Sequence, residues 1–515
     1  MIDRVKALCF FTSAALILLA KNPSDFLEKL QVRLRVNLRR GKEKSEDRKT
    51  LEALTEEHRL AHLIRVGDIQ GAQTLIRSAR LGKAYLQKGE LRSKMEQVNL
   101  ASFTYPRSNS KVSASNGTRV VYYATNSLPH TQSGYSLRTH SLAKSLGMTV
   151  KSVCVITRFG YPLVVGRVPS STIEVSWGVR YYRSFDWFYP AKMENRLIRE
   201  VANLEKLCRQ ERATVIHTTT NFRNAIVCSI VAARLGIPWV YEVRGEPEKT
   251  WLSKVPVEEQ NRAVTSHYFR TLRQAETNAM LSADFVLTLS RVSKAEIVRR
   301  GVPPEKVEVI PNAVEQEWLN LEFSKYDLRQ ELGIPLSEKV IGTVTSLVSY
   351  EGIDVAIRAM KNLGDDYIFL IVGDGEERER LETLSKNLKL EDRVKFVGRV
   401  PSNQAWKWYG TFDFFVVPRV DTPVCRTVTP MKPVLAQALG IPVVASDLPA
   451  LREICGGTGT FFRAGCEHGL AEAIANAAGQ DNACKGKEWA SQYTWERNSQ
   501  KLLNVYSRLT GKTPA

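Results

Sequence analysis

The sequence predicts an α/β protein of two Rossmann-like, doubly wound domains facing a cleft, preceded by a helical extension. Three observations carry this expectation. Short apolar runs alternate with helix-forming stretches through two blocks of about two hundred residues each, over 118–315 and 325–510. Residues 412–447 contain a complete strand, loop, helix and strand in sequence. The preceding stretch, 45–102, carries no strand-like run and is dominated by Leu, Ala, Glu, Lys and Gln.

The chain of 515 residues is long enough for two or three domains, and 43% apolar with 25% charged residues is ordinary for a globular protein. A formal net charge of +19 is not ordinary. It favours anionic partners such as nucleotide phosphates or an anionic lipid surface; a nucleic-acid partner is not expected. The eight cysteines show no CxxC or Cys/His ligand spacing, so free thiols in a reducing compartment and no metal site are expected.

Residues 1–44 open with an apolar run, 7–20, flanked by Lys6 and Lys21. It is short of the roughly twenty residues that span a bilayer and has no small-x-small cleavage site. Leu and Val then alternate with Arg33, Arg35, Arg39, Arg40 and Lys42, which suits an interfacial helix on anionic lipid. Packing of this segment on the protein body is the alternative. A cytoplasmic location, or a peripheral one on the inner face of the membrane, follows from the first reading. Residues 45–102 read as helix, Gly-Asp turn, helix, then helix, Gly-Glu turn, helix: an accessory module whose turns lie too close for a regular helical repeat. Residues 103–117 form a polar, Ser-rich linker.

In the first block, 119–124 (RVVYYA) is the opening strand, and the following loop becomes a helix near Tyr135. Gly134 on that turn would let backbone N–H groups approach a phosphate or sugar. A helix over 195–212 leads to a strand over 214–217 that ends on His217. Taken alone, such a His is more often bonded to local backbone than functional. The strand in GIPWVYEVRG exits with Glu242 and Arg244 on one side, either functional or a rim salt bridge. Residues 283–290 and 306–314 supply the closing strands.

The second block begins with a strand over 340–344, followed by strands over 367–372 and 394–400. Residues 414–417 are a buried strand; the loop after it carries Arg419, Arg426, Thr427 and Thr429, and Lys432 opens the next helix before Gly440 ends it. A hydroxyl-rich loop with two Arg and a Lys, where a strand's carboxyl end meets a helix, suggests a phosphate or diphosphate. A solvated basic loop is the plain alternative.

These strings are also recognisable. VTPMKP followed by helix, Gly and IPVVASD resembles the donor-binding segment of family 4 glycosyltransferases of the GT-B fold, in the branch written VTPLKPLEAMA. GIPWVYEVRG is similar to that branch's IP-x-VYEVRG, and SLPHTQSGYSLRTHSLAKSLG, VCVITRFGYP and PNAV extend the likeness over about three quarters of the chain. The resemblance implies a retaining, metal-independent transferase with no cofactor, taking a nucleotide-sugar and a glycan or lipid-linked acceptor. It implies that His217, Glu242 and Arg244 lie near the sugar and acceptor, that Arg399 and Val400 border the base, and that Gly134 faces the donor. Ser346 and Glu351 stand where the wider family has Arg and Lys, so Arg419, Arg426, Thr429 and Lys432 would hold the diphosphate. Leu435 replaces the family's ribose-binding Glu, and Thr219 stands where many members have a second His. A degenerate binding subunit, or an epimerase or hydrolase, is the alternative function.

Overall fold

A computed structural model describes residues 2–21, 56–78, 85–107, 117–477 and 482–511. The basic amphipathic stretch after Lys21 and most of the Ser-rich linker lie outside the described residues. The apolar opening run forms helix α1 (Ile2–Lys21). It packs on the protein body: Ala7, Phe10 and Ala14 are buried against Phe159, Leu163 and Tyr189, while Leu8, Phe11 and Leu16 point outward. No described helix is long and apolar enough to cross a membrane.

The accessory module consists of α2 (Glu56–Arg65), α3 (Ile69–Ser78) and α4 (Tyr85–Ala101). The Gly67–Asp68 turn separates α2 from α3, but no turn interrupts α4 at Gly89–Glu90, where the sequence suggested one. Glu90 pairs with Lys94 one turn on, at 3.3 Å, and one glycine costs only about 1 kcal/mol in a helix interior. Leu60, Ile64, Ile69, Ala72 and Leu91 of the module join the core of the first domain.

That domain is an eight-stranded sheet in the order β3-β4-β2-β1-β5-β6-β7-β8. Its strands are β1 (Arg119–Ala124), β2 (Ser152–Thr157), β3 (Ile173–Ser176), β4 (Val179–Tyr182), β5 (Val215–Thr219), β6 (Trp239–Val243), β7 (Phe285–Thr288) and β8 (Val307–Val309). All pair in parallel except the β3–β4 hairpin at the edge. Helices α5 (Gly134–Leu146), α6 (Met193–Gln210), α7 (Phe222–Leu235) and α8 (His267–Ser282) cover the sheet's two faces, as the near-continuous burial of its strands requires.

The second domain is a wholly parallel, six-stranded sheet ordered β11-β10-β9-β12-β13-β14. Its strands are β9 (Lys339–Val344), β10 (Tyr367–Val372), β11 (Val394–Gly398), β12 (Phe414–Val417), β13 (Val443–Ser446) and β14 (Thr460–Phe462). Strand order reverses between β9 and β12, which opens a crevice at their carboxyl ends. The last helix, Trp495–Leu509, returns to the first domain, where Trp495, Leu502, Val505 and Tyr506 pack against Val120, Leu142, Leu146 and Ile310.

One buried acid couples this core to pH. Glu276 on α8 accepts hydrogen bonds from Phe222 N (2.8 Å) and Tyr241 OH (2.6 Å), and burial pushes its pKa up to about 7. The folded state then holds this proton more tightly than the unfolded chain, so the stability it contributes is full below the ordinary carboxylate range and is lost as pH rises through 7. Glu276→Gln is expected to flatten the fall in melting temperature between about pH 5 and 8. A melting profile as steep as that of the wild type would show that other groups set it.

Candidate active site

Two loops meet over the β9–β12 crevice. The loop after β9 ends at Gly352, whose φ of 68° and whose closeness to Pro418 O leave no room for a side chain: a Cβ there would stand 1.9 Å from that oxygen. Gly373, after β10, plays the same part against Thr345 O, with φ 138° and a Cβ approach of 1.7 Å. These contacts bring Glu351, Arg419 and Lys432 together. Arg419 Nη2 donates to Glu351 Oε1 at 2.7 Å and its Nη1 to Val428 O at 3.0 Å. Lys432 Nζ stands 3.2 Å from Glu351 Oε2 and donates to Thr345 Oγ1.

Burial alone would neutralise Glu351, but Arg419 and Lys432 beside it hold its pKa down to about 2. Burial lowers the pKa of Lys432, with Glu351 opposing and Arg419 adding to the shift. The cluster therefore carries two cations against one carboxylate. Its surplus positive charge, in a low-dielectric crevice, suits an anion.

The first domain closes the other side. Gly134 opens α5 behind the Ser133 N-cap, and a Cβ there would meet nothing within 4 Å, so the protein itself does not require this glycine. Tyr135 is 54% exposed, yet its ring is enclosed enough that desolvation raises its pKa against the pull of Arg244 and Arg419. Tyr350, across the cleft, is pushed up to about 12 by burial and by Glu351. Direct bonds between the domains include Thr427 Oγ1 to Glu246 Oε1 (2.6 Å), Asn312 Nδ2 to Thr429 O (3.0 Å), and Arg291 N and Val292 N to the Glu453 carboxylate (2.6 and 3.0 Å).

His217, Glu242 and Arg244 are not in the cleft. β5 runs on through Thr218 and Thr219, so His217 sits within the strand rather than at its end, and it is wholly buried. Tyr122 OH donates to Glu242 Oε2 (2.8 Å), and its oxygen lies 2.9 Å from His217 Nε2. A hydroxyl has one proton, so Nε2 carries the imidazole proton and Nδ1 accepts from Tyr506 OH at 2.6 Å. Burial lowers the His217 pKa, which keeps the ring neutral.

Glu242 is ionised despite its burial, because Arg138 and Arg244 flank it. Arg138 donates to Glu242 Oε1 through Nε (2.8 Å) and Nη2 (2.6 Å), and Arg244 Nε donates to Oε2 at 2.7 Å. This is an interior network, and it corrects the expectation that these three residues meet sugar and acceptor. Arg244 comes nearest the cleft, through its bonds to Tyr135 O and Thr139 Oγ1, both at 2.7 Å.

The remaining expected residues divide. Arg426 lies on a short helix, Pro423–Thr427, and turns outward to pair with Asp421 at 2.5 and 2.6 Å, away from Arg419 and Lys432. Arg399 is exposed, 3.8 Å from Asp374 Oδ2, and Val400 is half-buried at the margin of the second core. Thr429 is buried in the loop, its Oγ1 without a partner among the described residues. Leu435 packs partly buried against the same core, as an apolar replacement of a ribose acceptor would. Sequence reasoning missed Thr345, Tyr135 and Tyr350, and saw Glu351 only as a substitution. No spacing rule could connect Glu351 to Arg419, 68 residues away. Among the described residues no group of three or more His, Cys, Asp or Glu is arranged to hold a metal ion.

Residues 133–313 match the family described as "Glycosyl transferase 4-like domain", and residues 324–485 match "Glycosyl transferases group 1". An uncharacterized glycosyltransferase of Methanocaldococcus jannaschii is 29% identical over 243 residues, covering 43% of this chain and 59% of the relative. The amylovoran biosynthesis glycosyltransferase AmsK of Erwinia amylovora is 30% identical over 175 residues, 33% of this chain and 41% of the relative. The putative colanic acid biosynthesis glycosyltransferase WcaL of Salmonella typhimurium is 29% identical over 200 residues, 38% and 46% respectively. The chain thus spans about half the length of the curated relatives it matches. Among solved structures, sucrose-phosphate synthase from Thermosynechococcus elongatus superposes with a TM-score of 0.63 at 20% identity, over 76% of this chain and 99% of its own. HepE from Anabaena, in complex with UDP-glucose, gives 0.59 at 18% identity, over 76% and 100%. The fold is the two-domain GT-B architecture.

Proposed function

We propose, for a chain in which both Rossmann-like domains carry glycosyltransferase family matches of the GT-B type, that it transfers a sugar from a nucleotide-sugar to a glycan or lipid-linked acceptor. The observation that carries this reading is the Arg419–Glu351–Lys432 cluster at the topological switch point of the second sheet. In this reading the diphosphate lies against Arg419, Lys432 and Thr345, with Thr429 Oγ1 beside it, and Arg399 and Val400 border the base. The bond between the anomeric carbon and the phosphate oxygen breaks, and its electron pair stays on the diphosphate. The acceptor hydroxyl forms the new C–O bond, and its proton leaves on the departing phosphate oxygen. Two preorganised cations stabilise the charge that develops there, so the reading is metal-independent; retention of configuration is part of it. Gly134 faces the donor from the first domain, with Tyr135 next to it. Location on the inner membrane face is included, supported by the outward Leu8, Phe11 and Leu16 and by the net charge of +19.

A panel of UDP-, GDP- and ADP-sugars, each with and without acceptor, tests the reading. Nucleoside diphosphate should be released only with acceptor, and EDTA should leave the rate unchanged. Release without acceptor would mark a hydrolase or epimerase, and an obligatory Mg²⁺ or Mn²⁺ would overturn the side-chain account.

A further inference from the structure

A groove of ≈ 740 Å³ runs between α3 and α4 of the accessory module and residues 191–194 at the start of α6. That size falls within the range of pockets that bury small ligands. Ile76, Leu91, Met95 and Met193 give it an apolar lining, and Arg77, Arg92 and Lys192 outnumber its acids, Glu96 and Glu194. Two arginines stand next to its lining: Arg223 Nη1 lies 3.9 Å from Met193 Sδ, and Arg196 Nη2 lies 3.8 Å from Glu96 Oε2.

These arginines belong to a cationic cluster with Arg158. The guanidiniums of Arg158 and Arg196 both act on Arg223, where burial and this repulsion lower the pKa. Each guanidinium offers five N–H donors, and few find acceptors among the described residues. Arg223 Nε reaches Asn221 Oδ1 at 3.4 Å, Arg158 Nη2 reaches Asn126 Oδ1 at 3.3 Å, and Arg196 Nη1 reaches Tyr189 OH at 2.7 Å. The Nε atoms of Arg158 and Arg196 are buried with no hydrogen-bond partner among the described residues. The carboxylates nearby are Glu96 and Glu200, and Glu200 is shifted toward its neutral form by burial. Asn126 follows β1, Arg158 follows β2, and Arg223 opens α7 behind β5, so the cluster lies at the carboxyl ends of the strands.

We propose that this groove holds the lipid part of the acceptor, a long-chain phosphate or diphosphate that carries the hydroxyl-bearing sugar, with its tail along the accessory module and its phosphate on Arg158, Arg196 and Arg223. The inference rests on the glycosyltransferase reading for the word acceptor; the binding itself does not. A guanidinium cluster short of hydrogen-bond acceptors, beside a groove with an apolar wall, suits an amphiphile with an anionic head, and it gives the accessory module a task that neither sheet performs.

Calorimetric titration of the full chain tests this, with dodecyl phosphate, inorganic phosphate and the neutral dodecyl maltoside as probes, each below its micellar concentration. Dodecyl phosphate should bind saturably at one site, at least about tenfold more tightly than either of the others. The Arg196→Gln, Arg223→Gln double variant should weaken it by about tenfold or more, and Met95→Asp should weaken it without changing the response to inorganic phosphate. The Arg196→Lys, Arg223→Lys variant, which keeps the charge, should retain part of the binding at a melting temperature close to that of the Gln pair. Equal binding of inorganic phosphate would leave an anion site only, equal binding of the maltoside an unspecific apolar surface, and indifference to the variants no site here; each overturns the proposal. No nucleotide-sugar enters the titration, so its failure leaves the donor cleft standing. Loss of the donor reading would show instead in a nucleotide-sugar panel without turnover.

Discussion

Lys432→Ala lowers turnover by about a hundredfold or more while the chain stays folded. A charge-assisted hydrogen bond to a departing phosphate is worth about 2–4 kcal/mol in the transition state, which corresponds to a loss of this size. The loss falls on kcat more than on KM, because the charge it meets develops as the bond breaks. The fold tolerates the change, because Glu351 keeps its 2.7 Å bond to Arg419 and the lysine side chain is 24% exposed. Steady-state kinetics beside a melting curve check both halves. Activity near that of the wild type would make Lys432 an ordinary helix-start residue whose bonds serve only to position the loop.

Arg138→Met costs about 3–5 kcal/mol of stability, the expected penalty for breaking a buried ion pair from one side. Arg138 is 1% exposed; besides its two bonds to Glu242 it donates to Ile310 O (2.7 Å) and Pro311 O (2.8 Å) and lies over the Trp495 ring at 5.6 Å. Methionine fills much of the space but satisfies none of these acceptors. The two carbonyls lie where the chain leaves the first domain, and Trp495 belongs to the helix that returns to it. Scanning calorimetry should therefore show the first domain's transition moving down more than the second's. A melting temperature within about a degree of the wild type would mean that Arg244 and water replace every lost bond. Arg138→Lys is expected to rescue little, since an ammonium cannot reproduce the planar fork.

Much of the framework is legible from residue patterns. Arg119–Ala124, Tyr367–Val372 and Phe414–Val417 are strands at the bounds the apolar runs suggest, because strands buried on both faces need uninterrupted apolar residues. Where the pattern is weaker the bounds move, and function moves with them. Thr218 and Thr219 are β-branched and extend β5 by two residues past His217, which turns an expected cleft side chain into the centre of a buried network. The short helix Pro423–Thr427 and the β3–β4 hairpin lie below the length at which periodicity speaks. Of the five cationic or hydroxyl candidates in the loop after β12 and at the start of the helix after it, Arg419 and Lys432 meet in one cluster; Arg426 turns outward, Thr427 bonds Glu246 and Thr429 is buried.

By itself, then, the sequence determined the alternation of strand and helix, the two-sheet architecture and the presence of a cationic loop after β12, because each depends on residues close together in the chain. Tertiary structure alone decided which charges reach the cleft and which are spent in the interior. Glu351 binds Arg419, Glu242 binds Arg138, and His217 binds Tyr506, across separations of 68, 104 and 289 residues. A pair so far apart leaves no periodic trace in the chain. Whether a charged side chain serves chemistry or framework depends on the partner that folding places beside it, because burying a charge is tolerable only when another group satisfies it.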